Sequence, residues 1–236
     1  MRILNLVLYS PSDIYTEMYK LLSGFYKKYN FVTTIFYHFD ETIKESFKLE
    51  NDILKIKGKE TYLPGILDKT IKCFEWVKNN LVIEKYDYIV RTNISSVVEF
   101  NKFANILLNI SFDYGSFCMF CLNHLDYPCG IFDNKYFGLK YASGTNIIMN
   151  NKLFNDIIDN KNKLDYTIID DVSIGVLVRD HLENVKYCPD LSNFYLNTSG
   201  NNHNVNKYCN KYVVFRNNCG SRMIDIDIIK KLSLIL

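Results

Sequence analysis

Two adjacent carboxylates, Asp170 and Asp171, stand directly before Val172-Ser173-Ile174-Gly175. At a helix start such a pair has a plain structural explanation. One side chain caps free N–H groups and the other sits favourably at the positive end of the macrodipole. The chemical alternative is that one carboxylate holds the loop while the other is a general base, removing a proton from a hydroxyl within hydrogen-bond reach. Two more polar clusters directly follow apolar, strand-like runs. Ser10-Pro11-Ser12-Asp13 follows the run ending at Tyr9, and Arg91-Thr92-Asn93-Ile94-Ser95-Ser96 follows Tyr86 to Val90. Ligands of open α/β sheets bind outside the carboxyl ends of the strands, so each cluster is either an ordinary turn with an N-cap or part of a ligand site.

Only five of the 28 basic residues are arginine, and three of them, Arg91, Arg216 and Arg222, lie in such strand-end and tail positions. A guanidinium fork suits phosphate oxygens better than an ammonium group does; the structural alternative is surface or interdomain ion pairing. Cysteine and histidine chemistry is less promising. Cys118 and Cys121 form one CxxC inside an apolar run, without the second pair or the two histidines of a zinc site, and read as buried thiols of a reduced protein. His38, His124, His181 and His203 are scattered, and His203 reads as a solvated loop residue rather than a metal ligand.

Positioning these residues requires strands that alternate with helices. The pattern predicts a strand over 2–9, a helix from Asp13 to about Tyr29 capped by Ser12 or Asp13, and a strand from Phe31 to Phe36. A short helix and then a small strand or loop are expected over Asp40 to Lys59. A helix over Ile66 to Leu81 follows, opened by Pro64-Gly65. Tyr86 to Val90 reads as a strand, Val97 to Leu108 as a helix, Ser116 to Leu122 and Ile147 to Met149 as strands, and Asp126 to Lys140 as turns. Lys152 to Asp159 and Val172 to Leu182 read as helices, 197–210 as a mobile Asn-rich loop, Tyr212 to Phe215 as a last strand and Ile224 to Leu234 as a last helix. Strands alternating with helices predict an α/β fold with a mainly parallel sheet. No repeat or linker divides the 236 residues, so one domain over 1–236 is expected.

Composition narrows the function classes. Apolar residues are 48% and aromatics 15%, with 10 Gly and 4 Pro, which excludes a disordered or collagen-like chain. Lys plus Arg is 28 against 26 acids, and without a basic run this gives no electrostatic case for nucleic acid. The apolar runs fall far short of the roughly 20 residues that span a bilayer, and the first residues read as a buried strand rather than a signal peptide. A cytoplasmic setting is expected. Abundant Asn, Ile, Lys and Tyr point to an AT-rich genome, viral or microbial.

Four ordered blocks resemble the family 31 glycosyltransferases, the β-1,3-galactosyl- and N-acetylglucosaminyltransferases and Fringe. Glu60-Thr61-Tyr62-Leu63-Pro64-Gly65 with Lys69-Thr70 and Trp76 resembles the family's D-x-Y-x-N-L, K-T and W block. Tyr86 to Thr92 resembles the strand that leads into its acidic metal motif. Tyr141-Ala142-Ser143-Gly144-Thr145 resembles its Y-A-S-G block, and Asp170-Asp171-Val172-Ser173-Ile174-Gly175 its (E/D)-D-V-x-x-G block. The resemblance spans about 60–182. It implies a GT-A fold, with a nucleotide-binding half over about 1–110 fused to an acceptor-binding half over 111–236. It also implies inverting transfer from a UDP-sugar to a hydroxyl of a glycan or glycoprotein.

By the same resemblance Asp171 is the general base and Asp170 orients the loop or the acceptor. Outside the span of the resemblance, Ser10 and Asp13 are candidates to hold the nucleoside from the first strand end. Asn93, Ser95, Ser143 and Gly144 fall at the donor site, and the cations Lys69, Arg91, Arg216 and Arg222 are candidates, by residue type and position, to complete it. The family's Mn²⁺ or Mg²⁺ is held by acids, whereas Asn93, Ile94 and Ser95 stand in those positions here, so that no metal-ligating residue is assigned. Loss of those acids keeps a second class open: a non-catalytic sugar-nucleotide or glycan-binding protein descended from a transferase. A metal-independent retaining transferase or a nucleotidyltransferase also places nucleotides at strand ends, but neither accounts for the four ordered blocks.

Overall fold

The computed structural model describes residues 1–199 and 205–236. It opens on β1 (Ile3–Leu8), whose side chains alternate between two cores. Ile3 and Val7 face one, Leu4 and Leu6 the other, the pattern of a strand covered on both faces. Ser12 caps α1 (Asp13–Tyr26) by accepting from the Tyr15 N–H at 3.4 Å. β2 (Val32–Phe39) then pairs in parallel with β1.

The next stretch departs from expectation. Asp40 to Lys59 holds no helix but an antiparallel hairpin, β3 (Phe47–Glu50) and β4 (Ile53–Ile56). Phe47-Lys48-Leu49-Glu50 alternates with a period of two, and Asn51 turns the chain at φ 56°, a left-handed conformation that Asn tolerates. Asp52 then ties the hairpin to α1, accepting from Tyr19 Oη at 2.6 Å and Ser23 Oγ at 2.5 Å.

α2 (Gly65–Asn80) leads to β5 (Tyr88–Asn93), which runs three residues further than expected, so Arg91, Thr92 and Asn93 lie on the strand itself. The expected helix from Val97 is split. The β-branched pair Val97-Val98 joins β6 (Ser96–Val98), and Glu99 caps α3 (Phe100–Leu107) by accepting from the N–H groups of Asn101 and Lys102. Of the strand expected over Ser116 to Leu122 only β8 (Met119–Cys121) forms, and a short β7 (Tyr114–Gly115) precedes it. Between them Ser116 Oγ turns inward to accept from the Cys118 N–H at 2.9 Å. Cys118 is buried, but Cys121 is exposed, against the expectation that both thiols are core.

β9 (Lys140–Ala142), β10 (Asn146–Asn150), α4 (Asn151–Asp159) and α5 (Asp170–His181) follow. The last elements are β11 (Tyr195–Asn197), α6 (Val205–Tyr208), β12 (Val214–Arg216) and α7 (Arg222–Ile235). The ends of the expected Asn-rich loop thus belong to β11 and α6; His203 lies outside the described residues.

The central sheet has the order β3-β4-β2-β1-β5-β10-β7. β4, β2, β1 and β5 run parallel, while β10 is antiparallel to both β5 and β7. Residues of α1, α3 and α7 build the core on one face, and residues of α2, α4 and α5 build the other. A three-stranded sheet, β11-β12-β6, stands beyond the carboxyl end of β5, and β8 pairs with β9 as a separate ribbon. No helix among the described residues is long and apolar enough to cross a membrane.

Candidate active site

A cleft of about 440 Å³ opens where β1 and β5 end, lined by Leu8 and Ser10 on one strand end and Arg91, Asn93 and Ser95 on the other. The Ser143-Gly144-Thr145 turn, the first turn of α5, and the Arg216 and Arg222 segment close it. The sequence blocks therefore converge on one place although they are far apart in the chain.

The Gly144 peptide is the crossing point. Its N–H donates to Asp171 Oδ2 at 2.8 Å. Its carbonyl accepts from Arg91 Nη1 at 2.5 Å and from Asn93 Nδ2 at 3.2 Å. A methyl group on residue 144 would lie 2.9 Å from Arg91 Nη1 and 3.3 Å from Asp171 Oδ2, so the close approach requires glycine. Beside it Ser143 is buried, its hydroxyl 3.0 Å from Thr145 Oγ1.

Neither carboxylate of the pair caps α5; both lie inside its first turn, behind Ile169. Asp170 is 2% exposed and forms a 2.5 Å ion pair with Arg91 Nη2, itself 2% exposed. Such a pair is costly to bury and costlier to break, by about 3–5 kcal/mol when one partner is removed. Arg91 is thereby committed to Asp170 and to the Gly144 carbonyl. It lines the cleft and braces its wall through these two contacts. Asp171 is half-buried and lines the cleft. Burial pushes its carboxyl up to about 6, with the Asp170 charge as the next cause, while the Gly144 N–H and Arg91 pull it partly back.

Asn93 Oδ1 accepts from Ser95 Oγ at 3.0 Å, Ser96 Oγ at 2.8 Å and Arg216 Nη1 at 2.7 Å. Arg216 Nη1 also donates to Ser95 Oγ. Burial lowers the pKa of the Arg216 guanidinium, and the Arg222 charge adds to the effect. Arg222 is half-buried, bonded to Asp225 Oδ2 at 2.7 Å and lying 5.7 Å from the centre of the Tyr15 ring. The donor set does not fit a divalent cation. Asn93 and Ser95 offer neutral oxygens already engaged by a guanidinium. No cluster of three His, Cys, Asp or Glu side chains suited to a metal ion exists among the described residues.

Of the residues predicted from sequence, Asp13 and Lys69 are not among those lining the cleft. Asp13 is exposed in the first turn of α1. Lys69 is 1% exposed and holds the end of β1 from beneath, donating to the Tyr9 carbonyl and Ser10 Oγ at 3.0 Å and pairing with Glu60 Oε2 at 2.6 Å. Tyr62, Phe120 and Tyr195 line the cleft and were not singled out from sequence. Tyr62 belongs to the first block; the other two carry no sequence signal that separates them from core aromatics.

No protein-family model matches the chain. No curated protein is similar to it in sequence. Solved structures are similar in fold. A glycosyltransferase involved in glycosylation of the major capsid of the virus PBCV-1 aligns over 98% of this chain and 100% of its own, at 8% identity and a TM-score of 0.52. The galactosyltransferase LgtC, solved with donor and acceptor sugar analogues, aligns over 100% and 96% at 14% identity, with a TM-score of 0.44. Mouse xyloside xylosyltransferase 1 aligns over 93% and 98% at 8% identity, with a TM-score of 0.41. The mixed, mostly parallel central sheet flanked by helices, and its full-length match to the viral enzyme, give this chain the GT-A fold.

Proposed function

We propose that the chain is an inverting glycosyltransferase that moves a sugar from a UDP-sugar to a hydroxyl of a glycan or glycoprotein, of the kind the family 31 resemblance implies. The observation that carries this reading is Asp171, a half-buried carboxylate with a raised pKa, held by the Gly144 N–H in a cleft at the carboxyl ends of two parallel strands. The acceptor oxygen attacks the anomeric carbon on the face opposite the nucleotide, and its proton passes to the Asp171 carboxylate. As the new carbon–oxygen bond forms, the bond from the anomeric carbon to the diphosphate oxygen breaks, and its electron pair leaves with UDP. The configuration at carbon inverts. Asp170 and Arg91 hold α5 and the Gly144 turn in register with the cleft.

The test is Asp171→Asn, nearly isosteric and still able to accept from the Gly144 N–H. Turnover of UDP-sugar falls by about 10²–10⁴-fold, with UDP binding kept. Near-normal turnover in this variant removes Asp171 as the base. The neutral Asn93 and Ser95 favour a second reading, a binding protein without transfer activity. A wild-type chain that binds UDP-sugars but neither transfers nor hydrolyses them establishes that reading instead.

A further inference from the structure

Three arginines line the cleft, and two of them have carboxylate partners. Arg91 pairs with Asp170, and Arg222 pairs with Asp225. No carboxylate forms an ion pair with Arg216 among the described residues. Its guanidinium instead rests on an amide oxygen, Asn93 Oδ1, and a hydroxyl, Ser95 Oγ. A largely buried guanidinium held only by neutral groups keeps its charge available for an incoming anion.

The backbone holds this cation in place before any ligand arrives. Arg216 faces Ser96 in the antiparallel pairing of β12 with β6. The next residue, Asn217, donates to the Ser95 carbonyl twice, from its N–H at 2.9 Å and from Nδ2 at 3.1 Å. Arg216 is thus anchored on both sides of the strand-end turn, and little rearrangement is needed when negative charge develops beside it.

The residue types at 93 and 95 have a reason in this arrangement. Carboxylates there would close an ion pair on Arg216 and cancel its charge. An amide and a hydroxyl orient the guanidinium by hydrogen bonds and leave it positive. We propose that Arg216, seated on Asn93 and Ser95, is the fixed cation that receives the diphosphate of a nucleoside diphosphate-sugar, so that this cleft binds its donor without a divalent metal. The inference rests on the donor reading given above and adds the means of holding the diphosphate. Arg222, stacked near Tyr15 and shared with Asp225, is the second guanidinium at the same wall.

The experiment is calorimetric titration of UDP into the full chain, once in EDTA and once in Mn²⁺. Wild-type affinity is the same in both buffers within about threefold, and Arg216→Gln weakens it by at least about tenfold, the loss of one charge-assisted phosphate contact. Asn93→Asp, which places a carboxylate on Arg216 with little change of shape, weakens UDP in EDTA by a similar factor. Melting curves confirm that both variants are folded, and the wild-type comparison of buffers needs no variant. UDP affinity that rises more than about tenfold with Mn²⁺ overturns the metal-free site and leaves the transferase reading standing. Wild-type affinity in both variants overturns the role of Arg216. Absence of UDP binding in either buffer overturns the donor reading itself, and this inference with it.

Discussion

Asp171 joins two properties that ordinarily oppose each other. A general base must be ionised, yet burial beside Asp170 makes ionisation harder and raises the pKa to about 6. In the proposed role of base, that pKa leaves the carboxylate basic enough to take a hydroxyl proton and still mostly ionised at neutral pH. The activity profile falls on the acid side with a midpoint near 6, and the acid limb is absent from the residual rate of Asp171→Asn. The same shift has a stability consequence of definite sign. The folded pKa lies above the usual carboxylate value, so above about pH 6 the folded state carries a charge that the unfolded chain holds more cheaply. On acidification from pH 8 the folded state takes up the proton first, and this contribution becomes more favourable as pH falls through about 6. Asp171→Asn removes the penalty. Its melting temperature exceeds that of the wild type at pH 8, by the equivalent of about 1–3 kcal/mol, and the gain shrinks towards pH 5. Melting curves at both pH values check this.

At the scale of elements, α5 and β9 are held together by a glycine. A methyl group on residue 175 would lie 2.6 Å from Tyr141 Cβ, which no real contact permits, so Gly175 lets α5 lie directly against the strand before the Gly144 turn. Gly175→Ala pushes the two apart and costs about 1–3 kcal/mol in urea unfolding. It also lowers turnover, because Asp171 and the Gly144 N–H sit on opposite sides of that contact. The motif resemblance makes this legible in outline: Tyr141, Gly144, Asp171 and Gly175 all fall within its last two blocks, and their spacing along the chain needs only one helix and one strand to bring them together. Other parts were not legible. Asp40 to Lys59 is polar with short apolar alternations, and a tertiary contact, Asp52 with Tyr19 and Ser23, fixes its hairpin. Lys69 matched a donor-site block, yet its long stem carries the ammonium beneath β1 to Glu60, a direction that spacing does not encode. Tyr195 and Phe120 line the cleft, but an aromatic residue next to a cavity has the same sequence pattern as one in a core.

On the scale of the whole molecule, the cleft depends on packing far from its chemistry. Helix α7 buries Ile226, Ile228, Ile229 and Leu232 in the core it shares with α1. Burying four aliphatic side chains contributes about 6–12 kcal/mol, comparable to the roughly 5–15 kcal/mol net stability of a domain this size. Removal of residues 222–236 leaves a chain without a cooperative melting transition, measured by circular dichroism.

The order of synthesis adds a further consequence of the guanidinium that sits on Asn93 and Ser95. A ribosome makes β1 and β5 before β12, so the motif at 93–95 and the carboxylate at 171 emerge before the positive charge at 216 that completes their wall. Until β12 has been made these residues lack that guanidinium, and the wall of the site is incomplete.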